Sequence, residues 1–446
     1  MKPHFIRLIF FVFCYSFCSQ AQTENIENIM KAWAAPSYFP DHVVLSAQQD
    51  PAHSIGINWR TNIQIEKGYV EIAEAEDGPN FRDKAKKIEA NRRLLNTSEA
   101  TKDGFEAAYF EVIVSDLKPS TTYAYRVGNT TYKSEWYHFK TQSEIPAPLS
   151  FLYVGDAQNY ILELWSRVIR TAYQTAPYAD FFIHAGDLVN DAHSETQWNE
   201  WFAAGGFIHS QIPTIATPGN HEYRGLKKEN PKKDRALSMQ WKNQFSFPAN
   251  GPKDLLETCY YIDYPNLRVI ALNSNRNIEQ QASWLELVLA NNPKKWTVVT
   301  YHHPVFSASK GRDNKRLRQY WQPLFEKYQV DLALQGHDHS YARGAVFQKP
   351  LKMKKNAKNE LNGPVYVVSV SGGKMYGVNE KGWDSYGAIR QKTGEQTQLF
   401  QHITIEGNQL IYRSFTSTGK LFDYFKLEKQ KDKTLYHLQQ VNESKN

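Results

Sequence analysis

The stretch SFLYVGDAQN (150–159) decides the fold class of the longer half of the chain. Apolar residues run from Phe151 to Val154, which is typical of a strand buried on both faces, and Asp156 follows directly. A helical pattern, LELWSRVIRTAYQTA (162–176), comes next. The order of strand, carboxylate and helix predicts an α/β domain with Asp156 at the carboxyl end of a strand.

The same ending recurs after four later apolar strands. These strands are ADFFIHAGD (179–187), PTIATPGNHE (213–222), WTVVTYHH (296–303) and VDLALQGHDH (330–339). The polar residues at the five strand ends are Asp156, Asp187, Asn220 with His221, His302 with His303, and His337 with His339. Because the carboxyl ends of strands in such a sheet converge on one crevice, we expect these side chains to form one cluster.

The residue types of this cluster indicate a metal site. Mixed oxygen and nitrogen donors suit Mn, Fe or Zn better than a thiolate site would. The donors are too numerous for one tetrahedral ion, so two ions that share a bridging carboxylate account for them more naturally.

The residues before the linker SEIPAPLS (143–150) follow a different pattern. Short alternating segments such as HVVLSAQ (42–48), SIGINWR (54–60) and TTYAYRVGN (121–129) predict an all-β sandwich over 38–142. Within it, DLKPSTTYAYRVG (116–128) resembles the fibronectin type III pattern, in which a Tyr-rich strand follows a Leu-x-Pro turn.

The first residues, MKPHFIRLIFFVFCYSFCSQAQ (1–22), predict a signal peptide over 1–21 and export to the periplasm or the exterior. Cleavage after Ala21 would leave Cys259 as the one cysteine, expected to be buried and inert. The remaining chain has no apolar run long enough for an integral membrane span. Residues 22–36 are expected to form a loose leader, and the chain is expected to fray from about Gln430.

The formal net charge of +7 favours anionic substrates. Two basic segments, 227–235 and 349–358, contain no interleaved aromatic residues, so we expect solvated loops and no nucleic-acid partner. Nothing in the sequence indicates an oligomeric state.

The ordered motifs GDAQ, GDLVN, GNHE, HHP and GHDH resemble those of the calcineurin-like metallophosphoesterase superfamily. With GNHEY, QASWLELVL and GHDHSYAR, residues 38–427 are most similar to the purple acid phosphatases. The resemblance implies a purple acid phosphatase N-terminal-like domain at 38–142. It also implies a metallophosphoesterase domain at 149–427, an αββα sandwich of two packed mixed sheets.

The resemblance also implies roles for single residues. Asp187 would bridge two ions. The first ion would be bound by Asp156 and His339, and the second by Asn220, His302 and His337. His221 would contact phosphate and protonate the leaving oxygen. His303 would either support the ligands or face the substrate, and Tyr223 is a candidate substrate contact.

Two positions depart from the family pattern. Asn190 stands where purple acid phosphatases carry the tyrosine that gives their colour, and Gln158 stands where the wider superfamily has histidine. Gln158 would then bind the first metal through its amide oxygen, lie beside the ligands, or be a loop residue. If Gln158 is not a ligand, Asn190 or water would take the vacant position at the first metal. A neutral oxygen donor shifts metal preference toward Mn²⁺, Mg²⁺ or Fe²⁺.

The leading functional hypothesis is hydrolysis of phosphate monoesters on a small phosphorylated substrate. In it, a hydroxide that bridges two metal ions attacks phosphorus. The alternatives are a phosphodiester or nucleotide-pyrophosphate hydrolase and, in a different class, a surface binding protein whose metal domain is inert.

Overall fold

The computed structural model describes residues 25–95, 102–223, 235–350, 352, 357–379, 383–431 and 433–437. The predicted signal peptide at 1–21 lies outside these residues. So do most of the two basic segments that were expected to be loops.

The amino-terminal half forms a sandwich of two antiparallel sheets. Its strands are β1 (Asp41–Ala47), β2 (Ile55–Asn62), β3 (Tyr69–Glu74), β4 (Lys86–Glu89), β5 (Asn91–Leu95), β6 (Ala107–Val114), β7 (Thr122–Gly128) and β8 (Tyr137–Lys140). The orders are β1-β2-β6-β5 and β4-β3-β7-β8. Trp59, Phe110 and Tyr125 fill the space between the sheets. The predicted all-β sandwich is confirmed, and its likeness to fibronectin type III stays a prediction.

Fourteen strands lie in the described residues of the second half. They are β9 (Leu149–Val154), β10 (Phe181–His184), β11 (Thr214–Ala216), β12 (Tyr260–Asp263), β13 (Leu267–Ala271), β14 (Trp296–Tyr301), β15 (Leu332–Gln335), β16 (Tyr341–Phe347), β17 (Lys358–Val368), β18 (Ile389–Gly394), β19 (Leu399–Glu406), β20 (Gln409–Thr416), β21 (Leu421–Gln430) and β22 (Lys433–His437).

The helices are α1 (25–34), α2 (Ser166–Thr175), α3 (Glu195–Gly205), α4 (Ile208–Gln211), α5 (Met239–Gln244), α6 (Ile278–Ala290), α7 (Lys315–Tyr320) and α8 (Gln322–Lys327). A π-helical turn, Ile161–Trp165, precedes α2. Short 3-10 helices lie at Pro79–Lys84, Lys253–Leu255 and Asp384–Tyr386.

Two mixed sheets pack face to face in this half. The first runs β11-β10-β9-β19-β20-β21-β22 and the second β12-β13-β14-β15-β17-β16-β18. A buried apolar core lies between them, with α2 and α3 outside the first sheet and α6, α7 and α8 outside the second. The predicted αββα sandwich of mixed sheets is confirmed.

Three local expectations were wrong. The expected loose leader contains α1, and Lys433–His437, within the segment expected to fray from about Gln430, forms β22. In β22 the side chains of Thr434 and Tyr436 alternate into the core, a signal too short to stand out in polar sequence. The pattern RLRQYWQPLFEKY (316–328) predicts one helix, but the structure has two, because Pro323 has no amide hydrogen and stands in the first turn of a new helix.

The two halves share a sheet edge and a buried ion cluster. Strand β1 pairs with β11 at Ser46 and Thr214. The guanidinium of Arg60, on β2, is fully buried and donates to Glu195 Oε2 at 2.7 Å and to Asp41 at 2.8 Å through both Nε and Nη2. Because Glu195 is the first residue of α3, this ion cluster joins the sandwich to the second half.

We expect Arg60→Met to destabilise the folded chain by about 3–5 kcal/mol, because it leaves the buried carboxylate of Glu195 without its cation. Urea unfolding measures this loss. Lys67→Met, which removes the cation of an exposed pair with Glu89, serves as the matched control and should unfold like the wild type. Equal unfolding midpoints for the two variants would contradict the role given to Arg60.

Candidate metal centre

The loops after five strands bring the predicted donors into one buried cluster. They follow β9, β10, β11, β14 and β15 and carry Asp156 with Gln158, Asp187, Asn220 with His221, His302 with His303, and His337 with His339. Within the cluster, ligand atoms lie within 4.8 Å of one another in two groups: Asp156, Asp187 and His339, and His302, His303 and His337.

The carboxylate of Asp187 lies between the two groups. Its Oδ2 atom is 3.2 Å from His302 Nε2. The same Nε2 atom is 3.2 Å from Asn220 Oδ1 and 3.1 Å from His337 Nδ1. In the other group, His339 Nε2 is 3.7 Å from Asp156 Oδ1.

Backbone carbonyls orient three of the imidazoles. The Nδ1 atom of His302 donates to Ala185 O at 2.9 Å, and that of His339 donates to the carbonyl of Lys374 at 2.9 Å. The Nδ1 atom of His221 donates to Asn190 O at 2.5 Å. These bonds leave each Nε2 as the atom that faces the cluster, which is how proteins prepare histidine for metal binding or proton transfer.

The donor chemistry of the cluster fits a cation. Two oxygen acceptors, Asp187 Oδ2 and Asn220 Oδ1, and the ring nitrogen His337 Nδ1 surround His302 Nε2, and acceptors that face one another need a shared proton or metal ion. Burial lowers the pKa of His302, but the charges of Asp187 and Asp156 outweigh burial and raise it to about 9. A proton on His302 thus occupies the position that a metal ion would take, and metal binding would release it.

The two carboxylates differ in their electrostatic surroundings. Burial, together with the like charge of Asp187, raises the pKa of Asp156 well above its ordinary value. Burial acts the same way on Asp187, but the charges of His221 and His302 outweigh it and hold its pKa well below the ordinary value. Asp187 is therefore the more strongly anionic of the two.

Gln158 lies inside the cluster and is fully buried. Its Nε2 atom donates to Asp187 Oδ2 at 3.0 Å and to His339 Nε2 at 2.9 Å. Its Oε1 atom is buried and has no hydrogen-bond partner in the described part of the chain. A half-turn of the amide would exchange the two atoms and point the oxygen at the position between Asp187 and His339.

The backbone at the cluster is strained. Asp156 (φ 50°), Asp187 (φ 51°), His337 (φ 75°) and His339 (φ 49°) all adopt left-handed conformations, which cost of order 1–3 kcal/mol each outside glycine. A Cβ atom at Gly219 would lie 2.1 Å from Asp187 Oδ1. This glycine therefore lets the loop after β11 approach the carboxylate.

Glu222 is a structural member of the site whose role was not predicted, although it belongs to the GNHE motif. Its buried carboxylate accepts from the backbone N–H groups of Asp187 (2.9 Å), Gly219 (2.7 Å) and Leu188 (3.0 Å). Burial and the charge of Asp187 raise its pKa to about 7. Glu222 thus joins the loops after β10 and β11.

The remaining predicted residues surround the cluster. His221 Nε2 is 3.7 Å from Asp187 Oδ2. The His303 ring lies 4.3 Å from the His337 ring, and its Nδ1 atom is 2.8 Å from Ser274 Oγ. Tyr223 is 6% exposed, and its hydroxyl accepts from Asn273. Its predicted contact with substrate stays a prediction.

Asn190 lines a cleft of about 420 Å³ beside the cluster, together with Asn159, Tyr160, Glu163 and Glu200. The backbone carbonyl of Asn190 accepts the hydrogen bond from His221 Nδ1. The cleft therefore begins at the residue that orients the His221 ring.

We expect Glu222→Gln to weaken metal binding by about 10- to 100-fold, because the amide presents N–H groups to backbone donors that need an acceptor. Competition with a chelator, followed by elemental analysis, measures this. Glu279→Gln on the exposed first turn of α6 is the control and should bind like the wild type. Unchanged affinity in Glu222→Gln would mean that the loops hold their positions without it.

Two family models match the chain. Residues 149–341 match the calcineurin-like phosphoesterase model, and residues 40–141 match the N-terminal domain of purple acid phosphatase. Probable purple acid phosphatase 20 of Arabidopsis thaliana is 25% identical over 317 residues, which cover 69% of this chain and 68% of that protein. The Fe(3+)-Zn(2+) purple acid phosphatase 12 of the same plant is 24% identical, over 60% of this chain and 59% of that protein.

A solved purple acid phosphatase from yellow lupin seeds shares the fold. It superposes with a TM-score of 0.71 at 20% identity, covering 88% of this chain and 75% of that one. The predicted enzyme class, a metal-dependent phosphoric ester hydrolase, is confirmed as the class of these relatives. The chain therefore joins a purple acid phosphatase N-terminal domain at residues 40–141 to a calcineurin-like phosphoesterase domain at residues 149–341, and the relatives that it resembles are purple acid phosphatases.

Proposed function

We propose that this chain is an exported phosphoesterase that binds two metal ions and hydrolyses phosphate monoesters. The observation that supports this proposal is the buried cluster of donors. In it, Asp187 lies within 4.8 Å of both Asp156 and His339 on one side and contacts His302 of the histidine group on the other. A full set of donors counts against the hypothesis of a surface binding protein with an inert metal domain.

The proposed ligands combine the two groups of donor atoms with the roles that the family resemblance implies. For the first ion they are Asp156, Gln158, Asp187 and His339, and for the second Asp187, Asn220, His302 and His337. His303 belongs to the second group of donor atoms but is not among the proposed ligands. Bound there, the ions would supply an activated water and neutralise the phosphoryl oxygens. Fe, Mn and Zn all suit this mixture of donors, and the oxygen of Gln158 favours the harder ions among them.

His221 is the proposed general acid. Because its Nδ1 atom donates to the carbonyl of Asn190, Nε2 is the atom that would hold and deliver a proton to the leaving oxygen. His303 stands beside His337 with its ring held by Ser274, which suits a role in orienting the phosphoryl group.

Export rests on the predicted signal peptide at 1–21. Within the described residues, none of the helices has the length and apolar character needed to cross a bilayer. A small phosphorylated substrate is the proposed partner.

The central test combines metal content with turnover. The purified chain should hold about two metal ions and hydrolyse p-nitrophenyl phosphate after loading with Mn²⁺, Fe²⁺ or Zn²⁺. Asp187→Ala and Asn220→Ala should each lower kcat/KM more than about a hundredfold, since a ligand is lost outright. Asp83→Ala, on the amino-terminal sandwich, is the control.

The outcomes separate the alternatives. Faster turnover of bis-p-nitrophenyl phosphate than of the monoester would favour a phosphodiesterase. No turnover of either ester with any of the three metals would support the inert binding protein. One ion or none at saturation would contradict the dinuclear site.

A second test concerns the first metal. We expect Gln158→Ala to lower the occupancy of one ion and the activity together, and Gln158→His to shift preference toward Zn²⁺, because imidazole is a softer donor than an amide oxygen. Metal titration followed by elemental analysis measures both effects. Gln174→Ala, exposed on α2, is the control. A Gln158→Ala variant with wild-type metal content would show that Gln158 is not a ligand.

A further inference from the structure

The cleft of about 420 Å³ beside the metal cluster has a composition of its own, and we call it the side cleft. Asn190 lines it and accepts from His221 Nδ1 through its backbone carbonyl. Asn159 lines it as well and follows Gln158 directly in the chain. The side cleft therefore begins where the proposed general acid and a proposed ligand of the first ion are held.

This position relates the side cleft to one part of the substrate. The Nε2 atom of His221 would give its proton to the oxygen that leaves phosphorus. The alcohol part of the substrate is attached to that oxygen, so it must lie on the His221 side of the phosphoryl group. Because Asn190 both holds the His221 ring and lines the side cleft, the alcohol part would enter the side cleft.

Hydrogen-bond acceptors without a cation line the side cleft. Burial raises the pKa of Glu200, and the backbone N–H of Leu162 opposes this only in part. The second carboxylate, Glu163, is exposed in the π-helical turn, and neither carboxylate forms an ion pair within the described residues. Asn159 Oδ1 is buried and has no hydrogen-bond partner in the part of the chain that the structure describes. A ligand that donates hydrogen bonds and carries a positive charge would satisfy all three side chains.

One aromatic ring is presented at the side cleft. Tyr160 lines it and is 63% exposed. Asn159 (φ 66°) and Tyr160 (φ 57°) are two consecutive residues in left-handed conformations, and the π-helical turn begins directly after them. Such turns are frequent at functional sites. A tyrosine ring beside two carboxylates is suited to contact an ammonium group through its face.

We propose that the side cleft binds a positively charged amine on the alcohol part of the substrate, so that the preferred substrates are phosphate monoesters of amino alcohols. This inference rests on the proposed function and narrows its leaving group. Glu200, Glu163 and Asn159 would accept hydrogen bonds from the ammonium group, and the Tyr160 ring would cover it. A neutral polyol is the competing occupant.

The reaction on such a substrate is a hydrolysis. The oxygen of water bonds to phosphorus, and the bond from phosphorus to the oxygen of the amino alcohol breaks. That oxygen keeps the electron pair of the broken bond and takes a proton from His221 Nε2. The attacking water releases a proton to solvent, from which His221 regains its own. The products are inorganic phosphate and the free amino alcohol, whose ammonium group is unchanged.

The test compares matched ligands on the metal-loaded full chain. Phosphoethanolamine is paired with n-propyl phosphate, and aminopropyl phosphate with n-butyl phosphate, because the members of each pair differ by ammonium in place of methyl. Ethylene glycol monophosphate carries a hydroxyl at that position and tests the polyol. Calorimetric affinities for aminopropylphosphonate and n-butylphosphonate, which are not hydrolysed, measure binding without turnover.

The variants remove the carboxylates and the ring one at a time. They are Glu200→Gln, Glu163→Gln and Tyr160→Leu. Tyr160→Phe keeps the ring and is the conservative variant. Glu279→Gln, on the exposed first turn of α6, is the matched control for the loss of one carboxylate.

We expect the wild type to favour each ammonium ligand over its alkyl partner at least about tenfold, in kcat/KM for the esters and in affinity for the phosphonates. Glu200→Gln should lower this preference about tenfold, and Glu163→Gln about threefold because its carboxylate is more exposed. Tyr160→Leu should lower it about threefold, whereas Tyr160→Phe and Glu279→Gln should keep it.

Three results would overturn the proposal. The first is a wild type without preference for ammonium, and the second is an equal preference for ethylene glycol monophosphate, which would identify the occupant as a polyol. The third is equal loss on both members of a pair in Glu200→Gln and Glu163→Gln, which would give the two carboxylates a purely structural role.

The two proposals fail in different ways. If the wild type hydrolyses none of these esters and no p-nitrophenyl phosphate, the proposed function fails, while the two phosphonate affinities still test the side cleft. If it hydrolyses p-nitrophenyl phosphate but does not favour ammonium ligands, the proposed function stands and the side cleft does not select amines.

Discussion

The buried carboxylate of Asp187 is the constraint on which the rest of the site depends. An anion that is 1% exposed is costly unless donors or cations surround it. Asp187 Oδ1 accepts from the amide of His221 at 2.8 Å, while Oδ2 accepts from Gln158 and faces His302. The loops after β9, β11 and β14 therefore each contribute a partner, and the carboxylate holds these loops at one point.

The amino-terminal sandwich contacts the far end of the loop that carries Asp187. The segment that begins at Asp187 ends at Ser194, which caps α3, and at Glu195, which is paired with Arg60 of the sandwich. Asp103 of the sandwich also accepts from Ser194 Oγ at 2.8 Å. The loop is thus anchored at the metal cluster on one side and at the domain interface on the other. The sandwich is a structural support of the site as well as a neighbouring domain.

One side of this cluster carries uncharged side chains. Gln158 is buried between Asp187 and His339, and Asn190, which lines a cleft, orients the His221 ring through its backbone carbonyl. Arg312 and Tyr376 lie on the side of His337 and His339, where each donates a hydrogen bond to one of their backbone carbonyls. The two sides of the cluster are therefore held by different segments of the chain.

Local sequence patterns predicted the sandwich, the α/β class of the second domain and the donors at strand ends, because strand, turn and helix periodicity depend on neighbouring residues. The two packed sheets of that domain were implied by the family resemblance. Asp156, Asp187 and His337 were recognisable because each follows a buried strand, and such strands share one edge. Short or irregular elements were missed: β22 alternates over only five residues, and Pro323 divides a helix whose apolar periodicity continues through it.

Other properties depend on residues far apart in sequence. Glu222 is recognisable as a brace only when the loops after β10 and β11 lie together, and Arg60 only when Glu195 is buried against it. The contact of the Arg312 guanidinium with the Tyr376 ring joins two loops about sixty residues apart, which no local pattern relates. The sequence therefore determined which donors stand at the strand ends. The folded chain decided what surrounds them, because burial and charge compensation depend on contacts between distant segments.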